Sequence, residues 1–285
     1  MKLGIITPVL TMIPRAHAQW EETASFADII DIVKDADRLG YHHCTCSEHV
    51  GVPVDIAKVR GGRYYDPLPT FGALSALTSS IRFAAHVLVL GYHHPLALAK
   101  RYGTLDVVSG GRVIVGVGVG SLQEEFELLG APFDDRGDRG DDAMRALRAA
   151  LSQREPEYHG KYYDFSGFLV DPCAVQARVP LWVGGRTFRS LRRAVELGDG
   201  WAPFGLRTSE LEAMLARAGR PDRPFDVILA TEHPLDPIAE PDRAAEQLQR
   251  FAAIGATGVN VRFAHHSPAH YREQLAALVS VAAAL

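Results

Sequence analysis

Residues 82–119 read RFAAHVLVLGYHHPLALAKRYGTLDVVSGGRVIVGVGV. The stretch opens on an apolar, β-rich run (82–90), passes through a segment of helical period, and returns to a second such run (113–119). Between the runs, Leu96, Ala99, Tyr102, Leu105 and Val108 share one helical stripe, which Gly110-Gly111 ends. Strand, helix and strand in so short a stretch is the unit that lays two parallel strands side by side.

The same alternation extends outward in both directions. Further candidate strands lie at 3–6, 41–46, 181–183, 200–203, 227–231 and 259–263. Phe26, Ile29, Ile30, Val33 and Ala36 form another apolar stripe ahead of Gly40. Ser209 and Glu212 have capping-box spacing, and Ser267-Pro268 is a suitable N-cap and first-turn pair for the last helix. Eight strand–helix alternations in 285 residues favour an α/β fold of the (β/α)8 TIM-barrel type over a doubly wound sheet, with residues 1–285 as a single domain. Two stretches exceed ordinary connections, 50–67 after the second strand and 153–180 before the fifth. Loops of that length are expected to be functional.

Composition limits what such a barrel can do. The chain is 47% hydrophobic and 22% charged, with 30 Lys+Arg against 34 Asp+Glu and no long basic run, which argues against a nucleic-acid or membrane-surface partner. Residues 3–13 imitate a leader peptide, but Thr7, Pro8 and Thr11 interrupt them, so a first strand is the expected reading. No apolar stretch approaches the ~20 residues needed to span a bilayer. Cys44, Cys46 and Cys173 make no disulfide framework, which points to a reducing, cytoplasmic compartment.

Parallel barrels place their reacting groups where strands end, so the strand ends carry the candidate chemistry. Ser47-Glu48-His49 leaves the second strand directly after His42-His43-Cys44-Thr45-Cys46. Alternation would send His42, Cys44 and Cys46 to one face and His43 and Thr45 to the other, and the spacings match no zinc pattern; no metal site is expected. His49 itself is either structural or a proton-transfer group. At the fourth strand, Gly116, Gly118 and Gly120 lead into Ser121, Gln123, Glu124, Glu125 and Phe126. They fail the dinucleotide fingerprint, and serve either a tight turn or close approach by a ligand. After the fifth strand, Val183-Gly184-Gly185-Arg186-Thr187 precedes a helix near Phe188, and is either a structural turn or an anion cradle.

Together these blocks resemble the luciferase-like superfamily of flavin and deazaflavin oxidoreductases, which are TIM barrels. The resemblance is carried by Ser47-Glu48-His49-Val50, residues 82–90, 94–100, 104–112 and 116–126, Pro132-Phe133 with Arg136-Gly137, and residues 179–185 and 198–201. The Ser-acid-His end of strand two is similar to the branch that uses coenzyme F420. By that resemblance Glu48 and His49 lie beside the deazaflavin ring, and Ala85 and His86 match a strand-three bulge with a non-proline cis peptide. Gly118, Gly120 and Glu124 follow the ring and side chain, while Val183, Gly184, Gly185 and Arg186 mark the phosphate end. The sugar-phosphate dehydrogenase branch carries glutamates where this chain has Leu10 and Ser121, so that activity is not expected.

The resemblance therefore implies hydride transfer between F420 and a small-molecule substrate, with His49 giving or taking the proton, in a homodimer. An FMN-dependent monooxygenase on the same barrel is the alternative, and a ligand-binding barrel without turnover is a second. The basic residues Lys58, Arg60 and Arg63 of the 50–67 loop are read either as solvated or as contacts for an acidic cofactor tail.

Overall fold

The computed structural model describes residues 1–14, 16–219 and 221–285. Among these, eight parallel strands form the barrel: β1 (Lys2–Ile6), β2 (His43–Cys46), β3 (Arg82–Ala85), β4 (Val113–Gly118), β5 (Leu181–Gly184), β6 (Gly200–Ala202), β7 (Asp226–Ala230) and β8 (Gly258–Val261). They pair in sequence order; β8 returns to β1 through Lys2↔Gly258 and Ile5↔Val261, and Leu181↔Val115 joins β5 to β4. Closure leaves no barrel edge unpaired.

Helices wrap the outside. In α1 (Phe26–Arg38), Ile29, Ile32, Val33 and Ala36 bury one stripe, and Asp28 accepts the Ser25 amide at 2.8 Å to satisfy an end donor. The others are α2 (Val54–Arg60), α3 (Pro67–Ser75), α4 (Pro95–Val108), α5 (Gln123–Leu128), α6 (Arg136–Ala150), α7 (Phe188–Leu197), α8 (Thr208–Ala218), α9 (Pro241–Ala253) and α10 (Pro268–Ala283). Ser267 caps α10 as the sequence indicates, accepting from the His270 amide. α8 begins two residues earlier than the Ser209–Glu212 spacing implies: Arg207 is the cap and Glu210 accepts its amide at 2.8 Å. On α4, Val108 is exposed, because the stripe drifts off the core by its last turn.

The lumen is plugged. Ala84, Ile114, Trp182, Ala202 and Ile228, from five successive strands, make a small inner cluster. His43 stands against it, with its ring centroid 5.0 Å from that of Trp182 and its Nε2–H donating to Asn260 Oδ1 at 2.6 Å. Gly4 on β1 makes room, since a Cβ there would lie 2.2 Å from the His43 ring. His42 departs from the expected alternation. It precedes β2, and its ring both contacts His43 and stacks on Trp182.

Both long connections carry structure. Within 50–67, α2 is followed by Arg63–Tyr64, which pairs antiparallel with Thr11–Met12 and lays the loop beside the barrel mouth. Within 153–180, Tyr158–His159 and Asp164–Phe165 form a hairpin tied to α6, where Asp142 accepts the Tyr158 hydroxyl at 2.6 Å and the Tyr162 amide at 2.7 Å. The expected strand at 82–90 is interrupted. After Ala85 the His86–Val87 peptide is cis, and Leu88–Val89 resumes pairing with β4. Between Ala84↔Ile114 and Leu88↔Val117 the third strand spends one residue more than the fourth, a bulge at the mouth.

Two measurements test this packing. Gly4→Ala should lose about 1–3 kcal/mol in denaturant unfolding, because His43 is held and cannot yield. Gly72→Ala in α3, where a Cβ meets nothing, should be neutral or gain up to about 1 kcal/mol; equal effects would contradict the lumen geometry. Burial, followed by the charges of Lys2 and Arg82, holds the His42 imidazole down at about 4, and burial and then His42 take His43 to about 3. The unfolded chain therefore binds protons between pH 6.5 and 4 that the folded chain refuses. Calorimetry should show a melting temperature that is level above about pH 7 and falls as pH drops through that window; a rise would contradict it.

Candidate active site

A cleft of about 660 Å³ opens over the C-terminal ends of the strands, within the usual range for small-molecule sites. One wall is built on Glu125 of α5. This carboxylate is only 1% exposed, yet four donors converge on it. Oε2 accepts from His49 Nδ1–H and the Tyr92 hydroxyl, each at 2.7 Å, while Oε1 accepts the amides of Val50 at 2.5 Å and Gly51 at 3.1 Å. Burial alone would raise its pKa. The bonds from Tyr92, His49 and Gly51 outweigh that and hold the carboxyl below its ordinary value, so it is ionised at neutral pH. Burial and the same anion push the Tyr92 hydroxyl up, which keeps it a donor.

His49 thereby has a fixed ring. Glu125 takes Nδ1–H and Tyr64 packs edge-on at 4.4 Å between ring centroids. Nε2 has no partner among the described residues, and His49 lines the cleft. A neutral ring with Nδ1–H held by a carboxylate presents Nε2 as a base, and its protonated form presents an acid.

The β3 bulge forms the floor. Ser47 Oγ donates to the His86 carbonyl at 2.9 Å, and Glu48 accepts the Val89 amide on Oε2 and His93 Nε2–H on Oε1, both at 2.7 Å. Glu48 thus lines the cleft with its oxygens already committed. His86 donates Nε2–H to the Ala202 carbonyl at 2.9 Å, and burial lowers its pKa, so it stands neutral. Val87 projects between β4 and β5, where a Cβ at Gly118 or Gly184 would lie 2.7 or 2.4 Å from its methyls. Those glycines are required by this side chain.

Across β4 and β5 the cleft turns cationic. Gly185 has φ +121°, and Thr187 caps α7 by accepting the Ser190 amide at 3.3 Å. Among the described residues the Phe188 and Arg189 amides and the Arg186 guanidinium keep no acceptor. Arg189 pairs with Asp138 at 3.1 Å, Arg193 is buried against Asp141, and Arg136 bonds the Phe133 carbonyl at 3.0 Å and stacks on its ring. An open helix N-terminus beside a free guanidinium suits phosphate oxygens.

Glu48, His49, His86, Gly118, Gly120, Val183, Gly184, Gly185 and Arg186 are brought together around this one cleft. Ala85 and Glu124 are not. Ala85 is buried below the floor, because it still lies on regular β3 ahead of the bulge. Glu124 is exposed on α5, one residue and so about 100° away from Glu125. The signal for Glu125 was present: it lies on the apolar stripe of Leu122 and Phe126, where a solvated carboxylate would not stand. Lys58, Arg60 and Arg63 do not line the cleft, for Lys58 pairs with Asp55 and Arg63 bonds the Glu21 carbonyl at 2.8 Å. Tyr92, Arg193, Arg262 and His265 line it without having been singled out in the sequence. Among the described residues no group of three or more His, Cys, Asp or Glu side chains could hold a metal ion, and no helix is long and apolar enough to cross a membrane.

Comparison with known proteins adds relatives to this geometry. The luciferase-like monooxygenase family profile matches residues 1–284. An uncharacterized Mycobacterium tuberculosis protein is 32% identical over 264 residues, spanning 85% of this chain and 90% of the relative. The coenzyme F420-dependent tetrahydromethanopterin reductase of Methanopyrus kandleri shares the fold, with TM-score 0.74 at 17% identity over 98% of this chain and 97% of that one. So does the oxygenating constituent of 3,6-diketocamphane monooxygenase from Pseudomonas putida, solved with FMN, with TM-score 0.71 at 17% identity over the same two shares.

Glu125→Ala should expose its role directly. It strips the acceptor from His49, Tyr92, Val50 and Gly51 together. Hydrogen exchange at the Val50 and Gly51 amides should speed up about 10- to 100-fold, the equivalent of one charge-assisted bond. Unchanged exchange would mean that the carboxylate does not hold the loop.

Proposed function

The chain belongs to the luciferase-like monooxygenase family, which includes F420-dependent and FMN-dependent enzymes, and from that premise we propose that it transfers a hydride between coenzyme F420 and a small organic substrate. The observation that carries the reading is the His49–Glu125 pair, an oriented imidazole with its free Nε2 on the cleft. Anchoring the 50–67 loop would by itself account for the buried carboxylate, but not for an imidazole held by it with Nε2 left open to the cleft.

The residues present fit the cofactor. Arg186, Gly185 and the open start of α7 would hold its phosphate, and the His86–Val87 floor would support its ring. When bound, the deazaflavin supplies a two-electron hydride couple that does not readily activate oxygen. His49 Nε2 gives or takes the proton at the substrate heteroatom as the hydride equivalent moves. Glu125 keeps Nδ1–H in place throughout and stabilises the imidazolium. Glu48 fixes the floor through Val89 and His93. FMN would use the same cationic end, and the FMN-bound neighbour favours it as the second reading.

Titration with F420 and with FMN under native mass spectrometry distinguishes the two, and tighter FMN binding would replace the first reading by the second. In single-turnover hydride transfer, His49→Ala should be slower by about 10²- to 10⁴-fold with cofactor affinity little changed. A near-native rate would make His49 structural.

A further inference from the structure

The cleft has a second polar end, across the barrel from the phosphate cradle. Arg262 follows β8, and the Ile5↔Val261 pairing sets it beside Ile6 at the end of β1. Asn260, two residues earlier, reaches His43 in the lumen; alternation turns Arg262 to the same side, one step higher, where it lines the cleft. Its backbone is held on both sides, the amide by Thr231 Oγ1 at 3.3 Å and the carbonyl by the Leu235 amide at 2.8 Å. Its guanidinium is partly buried and, among the described residues, has neither ion-pair nor hydrogen-bond partner.

A second unmet group lines the same cleft. Thr7 is 3% exposed, and its Oγ1 is buried without a partner. Among the described residues the carboxylate on this wall, Glu21, is already occupied: it accepts the Val9 amide at 2.7 Å and the Ala18 amide at 2.8 Å, and forms no ion pair with Arg262. His265 stands 3.6 Å from Glu21, and its Nδ1 accepts Trp20 Nε1–H at 2.9 Å, leaving its one N–H on the Glu21 side. Buried polar groups such as the Thr7 hydroxyl are almost always paired in folded proteins, and a half-buried guanidinium with no partner of its own is available to an anion in the cleft.

We propose that Arg262 and Thr7 form the substrate's anion site, and that the substrate is an organic acid whose carboxylate they hold. This rests on the hydride-transfer reading for what happens at the other end of the substrate. A single planar fork plus one hydroxyl matches a carboxylate, whereas the richer donor set that suits a phosphate lies at β5. The acid is thus anchored at β8 and β1, while His49 stands at the end of β2, next in barrel order to β1.

The test reads binding without turnover, so it stands apart from any result on the cofactor. Hexanoate and its neutral isostere hexanamide are titrated into the folded protein by ligand-observed NMR. Hexanoate should bind at least about tenfold more tightly, Arg262→Gln should abolish the difference, and Arg186→Gln should preserve it. Thr7→Val should weaken hexanoate several-fold, with a native melting curve showing that the fold is intact. Equal binding of acid and amide, failure of both to bind, or full hexanoate binding by Arg262→Gln would overturn the proposal. So would loss of F420 affinity in Arg262→Gln, which would assign the arginine to the cofactor. Displacement of hexanoate by equimolar inorganic phosphate would replace the carboxylate by a phosphoryl group.

Discussion

One buried negative charge organises the mouth of this barrel. Isolated in an apolar wall, the Glu125 carboxylate would cost several kcal/mol. It is tolerated because four donors reach it from three places in the chain: the exit of β2, the turn carrying Tyr92, and the backbone of the 50–67 loop. Each donor is thereby fixed as well. The catalytic geometry proposed for His49 and the course of the loop beyond it are two results of the same neutralisation.

The floor shows the same economy in apolar terms. Val87, displaced outward by the bulge in β3, occupies the space that side chains at Gly118 and Gly184 would fill. Gly116 yields likewise to the Ala85 carbonyl, which a Cβ would meet at 1.8 Å. Glycines that look like an invitation to a ligand are in fact the complement of a protein side chain.

This explains how far the chain could be read in advance. Strand and helix periods are local, so all eight barrel strands stand within two residues of their expected bounds, the third excepted at its bulge. That His49, Arg186 and the glycines border one cleft is legible because the ends of parallel strands converge on the barrel mouth. The resemblance points to Glu124, but rotation about α5 is set by what the helix packs on, which buries Glu125 and leaves Glu124 exposed. Which of the two readings of the 50–67 cations applies is not local either: charge is visible in sequence, but Arg63 turns inward to the Glu21 carbonyl only once Arg63–Tyr64 has paired with Thr11–Met12. Arg262 and Thr7 carry no motif at all; their meaning is the absence of a partner.

The plug of Trp182, His43 and Asn260 bears on traffic as well as on packing. With the lumen filled, nothing passes along the barrel axis, so whatever enters the cleft must leave by the mouth through which it came. Two ligands held in this cleft therefore share a single entrance.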